Sequence, residues 1–435
     1  MQLPLTDPDT LFEDLLQDLP PEVSQLAREC KAFVRAKKIK TPEQLLRVVL
    51  LYCGLDQSLR EVAGTFTALY ESITDQSVAE RLRACGPWVK ALLRRMLPLV
   101  PVAALPEGRR FLVIDASTVQ APGATGIDHR LHLSMDLVSL EFVEVLVTDV
   151  HSGETLKHFA LGPGDVVAAD RGYAHPSGMS GAVQQGADLI VRLNPFSVVL
   201  GTATGQPLAL GRALQRQRTE TIRTLAVVIR SACGQHEVRG WVHAYRLSAE
   251  QANRARQQCR QRHKKGAPQA EALWLAGWVL VFTTLAPAVL SAETILAVYR
   301  CRWQVEMAIK RWKSVLDVDA LRAKARSPLA QVWLHGKVLY ALMLERRMRR
   351  TLGDRWGRLD QERVGTWWRV WGMLKEVIAP LITGALFWQE EAWEACLKVM
   401  AERPRQRKLQ QLPPAAIDLL YRGDAGNQEG LPLAA

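Results

Sequence analysis

The hydrophobic period of this chain switches at Arg110, and that switch limits the fold more than any other feature. Upstream, over residues 22–99, apolar side chains recur at helical spacing; downstream, short apolar runs bounded by turns take over. FLVID (111–115) reads as a buried strand, RLHLSMDL (130–137) as a second and FVEVLVTDV (142–150) as a third, and the short turns between them permit antiparallel pairing. A helical stretch around 154–159 follows, then the buried strand VVAAD (166–170), a helix near 177–185 and the strand DLIVRL (188–193). Three antiparallel strands followed by alternating helices and strands specify an α/β fold, with a mixed sheet and helices outside it.

The flanking regions are helical. Thr41 followed by Pro42 and Glu43 is an N-cap with proline at the first helical position, and LLRVVLLYCGL then runs as a buried helix ending near Gly54. Ser58-Leu59-Arg60-Glu61 is a capping box opening a short helix that reaches Ala63, and Thr74 begins another, VAERLRACGPWVKALLRRML. Two short helices around a Gly-containing turn resemble a helix-turn-helix, with Arg81, Arg83 and Lys90 available for phosphates; plain helical packing accounts for the same pattern. After Pro328 the chain returns to helices, VWLHGKVLYALMLERRMRRTLG and QERVGTWWRVWGMLKEVIA, with Trp367, Trp368 and Trp371 expected to pack in a core.

Between these lies a second β-rich block, residues 195–285, containing TIRTLAVVIR, EVRGWVHAYRL and GWVLVFTTL. It separates Asp170 from Glu306 by 136 positions, far beyond the span of a loop, so an inserted subdomain is expected. The resulting division is a helical DNA-binding region 1–105, a core in two parts at 106–195 and 287–345, an insertion at 196–286 and a helical region 346–435, which could serve dimerisation.

Charge narrows the partners. At 435 residues and a formal charge of +12 the chain suits a polyanion, and the excess is uneven: residues 299–360 carry 15 Lys and Arg against 6 Asp and Glu. A second cluster, Arg254, Arg256, Arg260, Arg262, Lys264 and Lys265, contains no acid. The seven cysteines show no CxxC or Cys/His spacing, which argues against a zinc site or a disulfide framework and for a reducing compartment. The first residues lack the pattern of a signal peptide, and no apolar run has membrane-spanning length, so a cytoplasmic bacterial protein without a membrane partner is expected, at the nucleoid when bound to DNA.

Tyr299, Arg302, Glu306 and Lys313 lie in SAETILAVYRCRWQVEMAIKRWKS, which reads as one uninterrupted helix. At helical spacing the four fall within roughly 60° of one another. Val305, Ala308, Ile309, Trp312, Val315 and Leu316 occupy the reverse face. A solvated face with i,i+4 pairing accounts for such a stripe when it stands alone. The strand ends change the reading. Asp115 closes the first strand and Asp170 the fourth, and a buried strand seldom ends in an unpaired carboxylate, although either Asp could be a turn former. Three carboxylates, Asp115, Asp170 and Glu306, on a sheet and a helix packed beside it suit two Mg2+ ions about 4 Å apart. Mn2+ is an allowed substitute, and a hard cation explains oxygen ligands in place of Cys or His.

The strand order is that of ribonuclease H-like folds. Asp115 in IDAST, Asp170 in ADRGY and the string Tyr299, Arg302, Glu306, Lys313, spaced Y-x2-R-x3-E-x6-K downstream of a β-rich insertion, resemble the DDE transposases of the YREK-signature group, the insertion-sequence-four family. The likeness covers residues 40–345 and is loose beyond them. It implies a ribonuclease H-like core interrupted by the insertion, and a transposase that binds terminal inverted repeats of double-stranded DNA and cuts and joins strands. It further implies that Asp115 bridges two metal ions, with Asp170 and Glu306 completing one each, and that Tyr299, Arg302 and Lys313 contact phosphates. Cut-and-paste chemistry through a DNA hairpin, a flipped base held by Trp241, Trp274 or Trp278, and a homodimer joining two ends are further implications; core packing is the alternative role for each tryptophan. A nuclease lacking strand transfer, or a transposon-derived DNA-binding regulator without catalysis, are the competing functions, and the intact carboxylates argue against the regulator.

Overall fold

The structure is a computed structural model that describes residues 8–97, 108–262, 268–353, 364–365, 367–384 and 401–402. Six helices open it: α1 (Pro8–Leu16), α2 (Val23–Glu29), α3 (Pro42–Val49), α4 (Leu59–Leu69), α5 (Asp75–Ala84) and α6 (Gly86–Met96). Their starts follow the local chemistry. Thr41 accepts a hydrogen bond from Gln44 N with Pro42 next to it, Ser58 and Glu61 form a reciprocal capping box, and Thr74 accepts from Ser77 N. A buried π-helical turn, Leu50–Gly54, continues α3 to the expected end.

Two helix boundaries differ from the sequence reading. α4 does not stop at Ala63 but runs through Gly64 to Leu69, because burial of Val62, Ala63 and Phe66 on one face outweighs the local cost of glycine. The segment starting at Val78 is two helices, divided at Cys85, where Gly86 and Pro87 begin α6. The turn between α4 and α5 therefore contains no glycine, and Arg81, within α5, donates to the Arg35 carbonyl.

The middle of the chain supplies β1 (Arg110–Val119), β2 (His129–Asp136), β3 (Phe142–Asp149), β4 (Asp165–Ala169), α7 (Pro176–Gln184), β5 (Asp188–Arg192), β6 (Val199–Thr202), α8 (Leu210–Leu214), β7 (Ile222–Arg230), β8 (Glu237–Arg246), α9 (Ala249–Arg262), α10 (Ala270–Leu275) and β9 (Trp278–Thr283). The nine strands form one mixed sheet in the order β3-β2-β1-β4-β5-β9-β8-β7-β6. β2 is antiparallel to β1 and β3, whereas β1, β4 and β5 run parallel. The expected helix around 154–159 is a single 3-10 turn, Leu156–His158. The strands of residues 199–283 continue the core sheet: β9 pairs with β5, Ile190 opposite Thr283, and so covers an edge that would otherwise be unpaired.

Four helices complete the described chain: α11 (Ala292–Cys301), α12 (Trp303–Leu316), α13 (Pro328–Leu352) and α14 (Trp367–Thr383). The expected uninterrupted helix thus divides at Arg302, whose N–H bonds back to Tyr299 O in a tightened turn. α11 lies against β5 and β9 and α12 against β1 and β2, so the tight turn lets each half follow its own strands across a twisted sheet. Trp371 is buried, as expected of a core residue, and Trp367 and Trp368 are half-buried. Most of the region 346–435 lies outside the described residues. No helix among the described residues is long and apolar enough to cross a membrane.

The sheet separates two apolar cores, and period-two alternation decides which residue enters which. Phe111, Val113, Val166 and Ala168 face the core built with the N-terminal helices and α11–α14. Leu112, Ile114, Val167 and Ala169 face the other, under α7 and Phe159.

Candidate active site

The register of β1 and β4 brings two carboxylates together. Ile114 pairs with Ala169, and Asp115 and Asp170 are the next residue on each parallel strand. By the pleat, both belong to the face against which α12 packs, and α12 carries Glu306 in its first turn. Asp115 does not close β1, which continues to Val119 because β2 remains paired opposite it, with Leu133 facing Asp115. Asp170 does follow the last residue of β4, and its side chain caps a 3-10 turn, Arg171–Tyr173, by accepting from Gly172 N at 2.7 Å.

Arg302, at the turn between α11 and α12, ties the third carboxylate to the first. Its guanidinium lies 2.5 Å from Glu306 Oε1 and 3.7 Å from Asp115 Oδ2. Burial opposes the charge on Arg302, but Tyr299, Glu306 and Asp115 outweigh it and raise its pKa. Tyr299 is buried, and the guanidinium sits over its ring, 5.8 Å from the centroid. Lys313 is half-exposed further along α12, with its ammonium 3.6 Å from Asp319. The six side chains singled out from the sequence thus lie on adjoining strands, two consecutive helices and the turn between them. Of the candidate tryptophans, Trp278 is buried beneath Arg246 and packs at a tilt against half-buried Trp274, with ring centroids 5.2 Å apart, while Trp241 is half-buried in β8.

The electrostatics are those of a site short of positive charge. Burial pushes the Asp115 carboxyl up to about 7, and the charges of Glu306 and Asp170 add to the effect, although Arg302 and the Ala116 N–H act against it. Tyr173, fully buried, has no hydrogen-bond partner for its hydroxyl and interacts electrostatically with Asp115, Glu154 and Asp170. Among the described residues no three His, Cys, Asp or Glu side chains are gathered closely enough to hold a metal ion. The donors nevertheless fit a hard divalent cation in kind: carboxylate oxygens, an orphaned hydroxyl, and a buried Asp that one guanidinium does not fully compensate.

Sequence reasoning passed over Glu154 and Tyr173. Tyr173 stands inside the ADRGY string, and its nearness to Asp170 could have been suspected from that position. Glu154 sits on a loop and carried no local signal.

Residues 106–342 match the family described as Transposase DDE domain. The putative transposase InsL of insertion sequence element IS186A from Escherichia coli K12 is 30% identical over 335 residues, which span 75% of this chain and 90% of the relative. The transposase of insertion sequence element IS421 from Escherichia coli is 31% identical over 336 residues, with the same coverage. The chain belongs to the DDE transposases, enzymes whose activity depends on divalent metal.

Proposed function

We propose that the chain is the transposase of an insertion sequence, of the YREK-signature group, which binds terminal inverted repeats and cuts and joins DNA strands with Asp115, Asp170 and Glu306 as ligands of two Mg2+ ions. The observation that carries this reading is the juxtaposition of Asp115 and Asp170 on neighbouring parallel strands, with Arg302 holding Glu306 to the same place. Bound there, divalent ions supply Lewis-acid activation of a water or 3′-hydroxyl and stabilise the leaving oxygen of a phosphodiester.

The chain's own residues do the rest. β1 and β4 fix two carboxylates rigidly, and the helix presents the third. Lys313, half-exposed on the same helix, is placed to meet a backbone phosphate, as is Arg302 once it leaves Glu306; Tyr299 supports the guanidinium from below. A basic 299–360 segment supplies sequence-independent attraction to DNA. A homodimer joining two ends gives each end one active site, and a hairpin step would let that site process both strands. The test is incubation of the full chain with a labelled transposon end and Mg2+. Nicked and joined products are expected; nicks without joined product would reduce the function to a nuclease.

A further inference from the structure

The loop from β3 to β4 sets a fourth carboxylate beside Asp170. A methyl group on Gly172 would stand 2.2 Å from Glu154 Oε2 and 3.0 Å from Asp170 Oδ1, so the two carboxylate ends converge over this glycine and a larger residue would push them away. Glu154 is held there from several sides. Arg130 donates to the Ser152 carbonyl at 2.6 Å, a His158 ring nitrogen meets the Gly153 carbonyl at 3.0 Å, and Gly178 of α7 approaches so closely that an added methyl would lie 2.9 Å from Thr155 Oγ1. A loop fastened at Ser152, Gly153 and Thr155 presents its intervening side chain in one place.

Two like charges held together call for a cation. The second observation is the Tyr173 hydroxyl, which is fully buried, has no hydrogen-bond partner and lies within electrostatic range of Asp115, Glu154 and Asp170. A buried phenol left unpaired within range of these carboxylates is a donor waiting for an acceptor whose position a bound cation would fix.

We propose that Glu154 is a fourth carboxylate of the divalent-cation centre, sharing with Asp170 the cation that Asp170 holds, with the Tyr173 hydroxyl donating to this pair. The proposal rests on the reading of Asp170 as a ligand. It explains why glycine follows Arg171: position 172 must pass between two ligands.

The test is Mn2+ binding to the full chain, followed by the electron paramagnetic resonance signal of free Mn2+, with circular dichroism confirming that each variant is folded. Glu154→Gln is expected to weaken binding about tenfold. Gly172→Ala should do the same with Glu154 intact, and Glu154→Asp should recover part of the loss. If Glu154→Gln fails to fold, the Gly172→Ala and Glu154→Asp pair decides alone. Wild-type affinity in the Glu154 and Gly172 variants, with binding lost in Asp170→Asn, would overturn the proposal and leave the Asp170 assignment standing. Wild-type affinity in Asp170→Asn as well, or no binding by the wild-type chain, would overturn both.

Discussion

Arg302 bridges Glu306 and Asp115, at 2.5 Å from one carboxylate and 3.7 Å from the other, so a single guanidinium spans two acids carried by different elements. It is mostly buried, and removing it leaves two carboxylates facing each other without compensation. Arg302→Ala is therefore expected to weaken complexes with terminal-repeat DNA and to lower cleavage by at least about 100-fold. Arg302→Lys should recover only part, because a point charge cannot reach both carboxylates as a planar fork does. Gel shifts and cleavage of a labelled end measure both effects, and wild-type behaviour of Arg302→Ala would refute the assignment.

The proposed ligand role of Glu306 separates catalysis from binding. Its carboxylate faces Arg302 on the first turn of α12, and amidation keeps its size while removing the charged oxygen. Glu306→Gln should abolish detectable cleavage, a fall of roughly 1,000-fold or more, and leave the affinity for end DNA within a few-fold of wild type. A variant that cuts normally, or one that no longer binds ends, would contradict the role given to Glu306.

The raised pKa of Asp115 has a consequence for the metal-free protein. The folded group holds its proton up to about pH 7, whereas the unfolded group releases it near its ordinary value of 3.8. The folded state therefore binds more protons across that window, and stability falls as pH rises through it. Asp115→Asn carries no such charge. It should be more stable than wild type above pH 7, by up to about 4 kcal/mol, with the difference closing towards pH 4. Urea unfolding in chelator at several pH values measures this, and a pH-independent difference would rule out Asp115 as its source.

The carboxylates were legible in the sequence because each stood beside an unambiguous apolar run, and parity along a strand fixes a side chain's face. VVAAD gave β4 and the place of Asp170 almost to the residue. Asp115 was placed at a strand end because polar residues follow it, yet Ala116 to Val119 stay in the sheet, since pairing with β2 depends on a partner 10 or more residues away. Continuity of β5 with β9 was hidden for the same reason: strand order is a long-range property that local periodicity does not encode. The break at Arg302 left no trace, since no proline or glycine marks it; two different packing partners cause it. Glu154 was hidden because a loop carboxylate acquires meaning only through the side chain folded against it.

The helical region is tied to the rest of the molecule by close packing of α13 on the π-helical turn after α3. Gly336 permits it: an added methyl would lie 2.6 Å from Cys53 Sγ and 2.8 Å from Cys53 Cβ, both buried. Nearby, fully buried Lys337 donates to Gly54 O and pairs with Asp56 at 2.5 Å, so α13 cannot shift without straining that ion pair. Gly336→Ala is thus expected to cost about 1–3 kcal/mol despite the better helix propensity of alanine. Cys53→Ala removes the sulfur that the methyl would meet, and should by itself leave a small cavity. Together the two substitutions should cost less than their sum, with a coupling of about 1 kcal/mol in denaturant unfolding. Strict additivity would show that the two helices are not in the contact on which this depends.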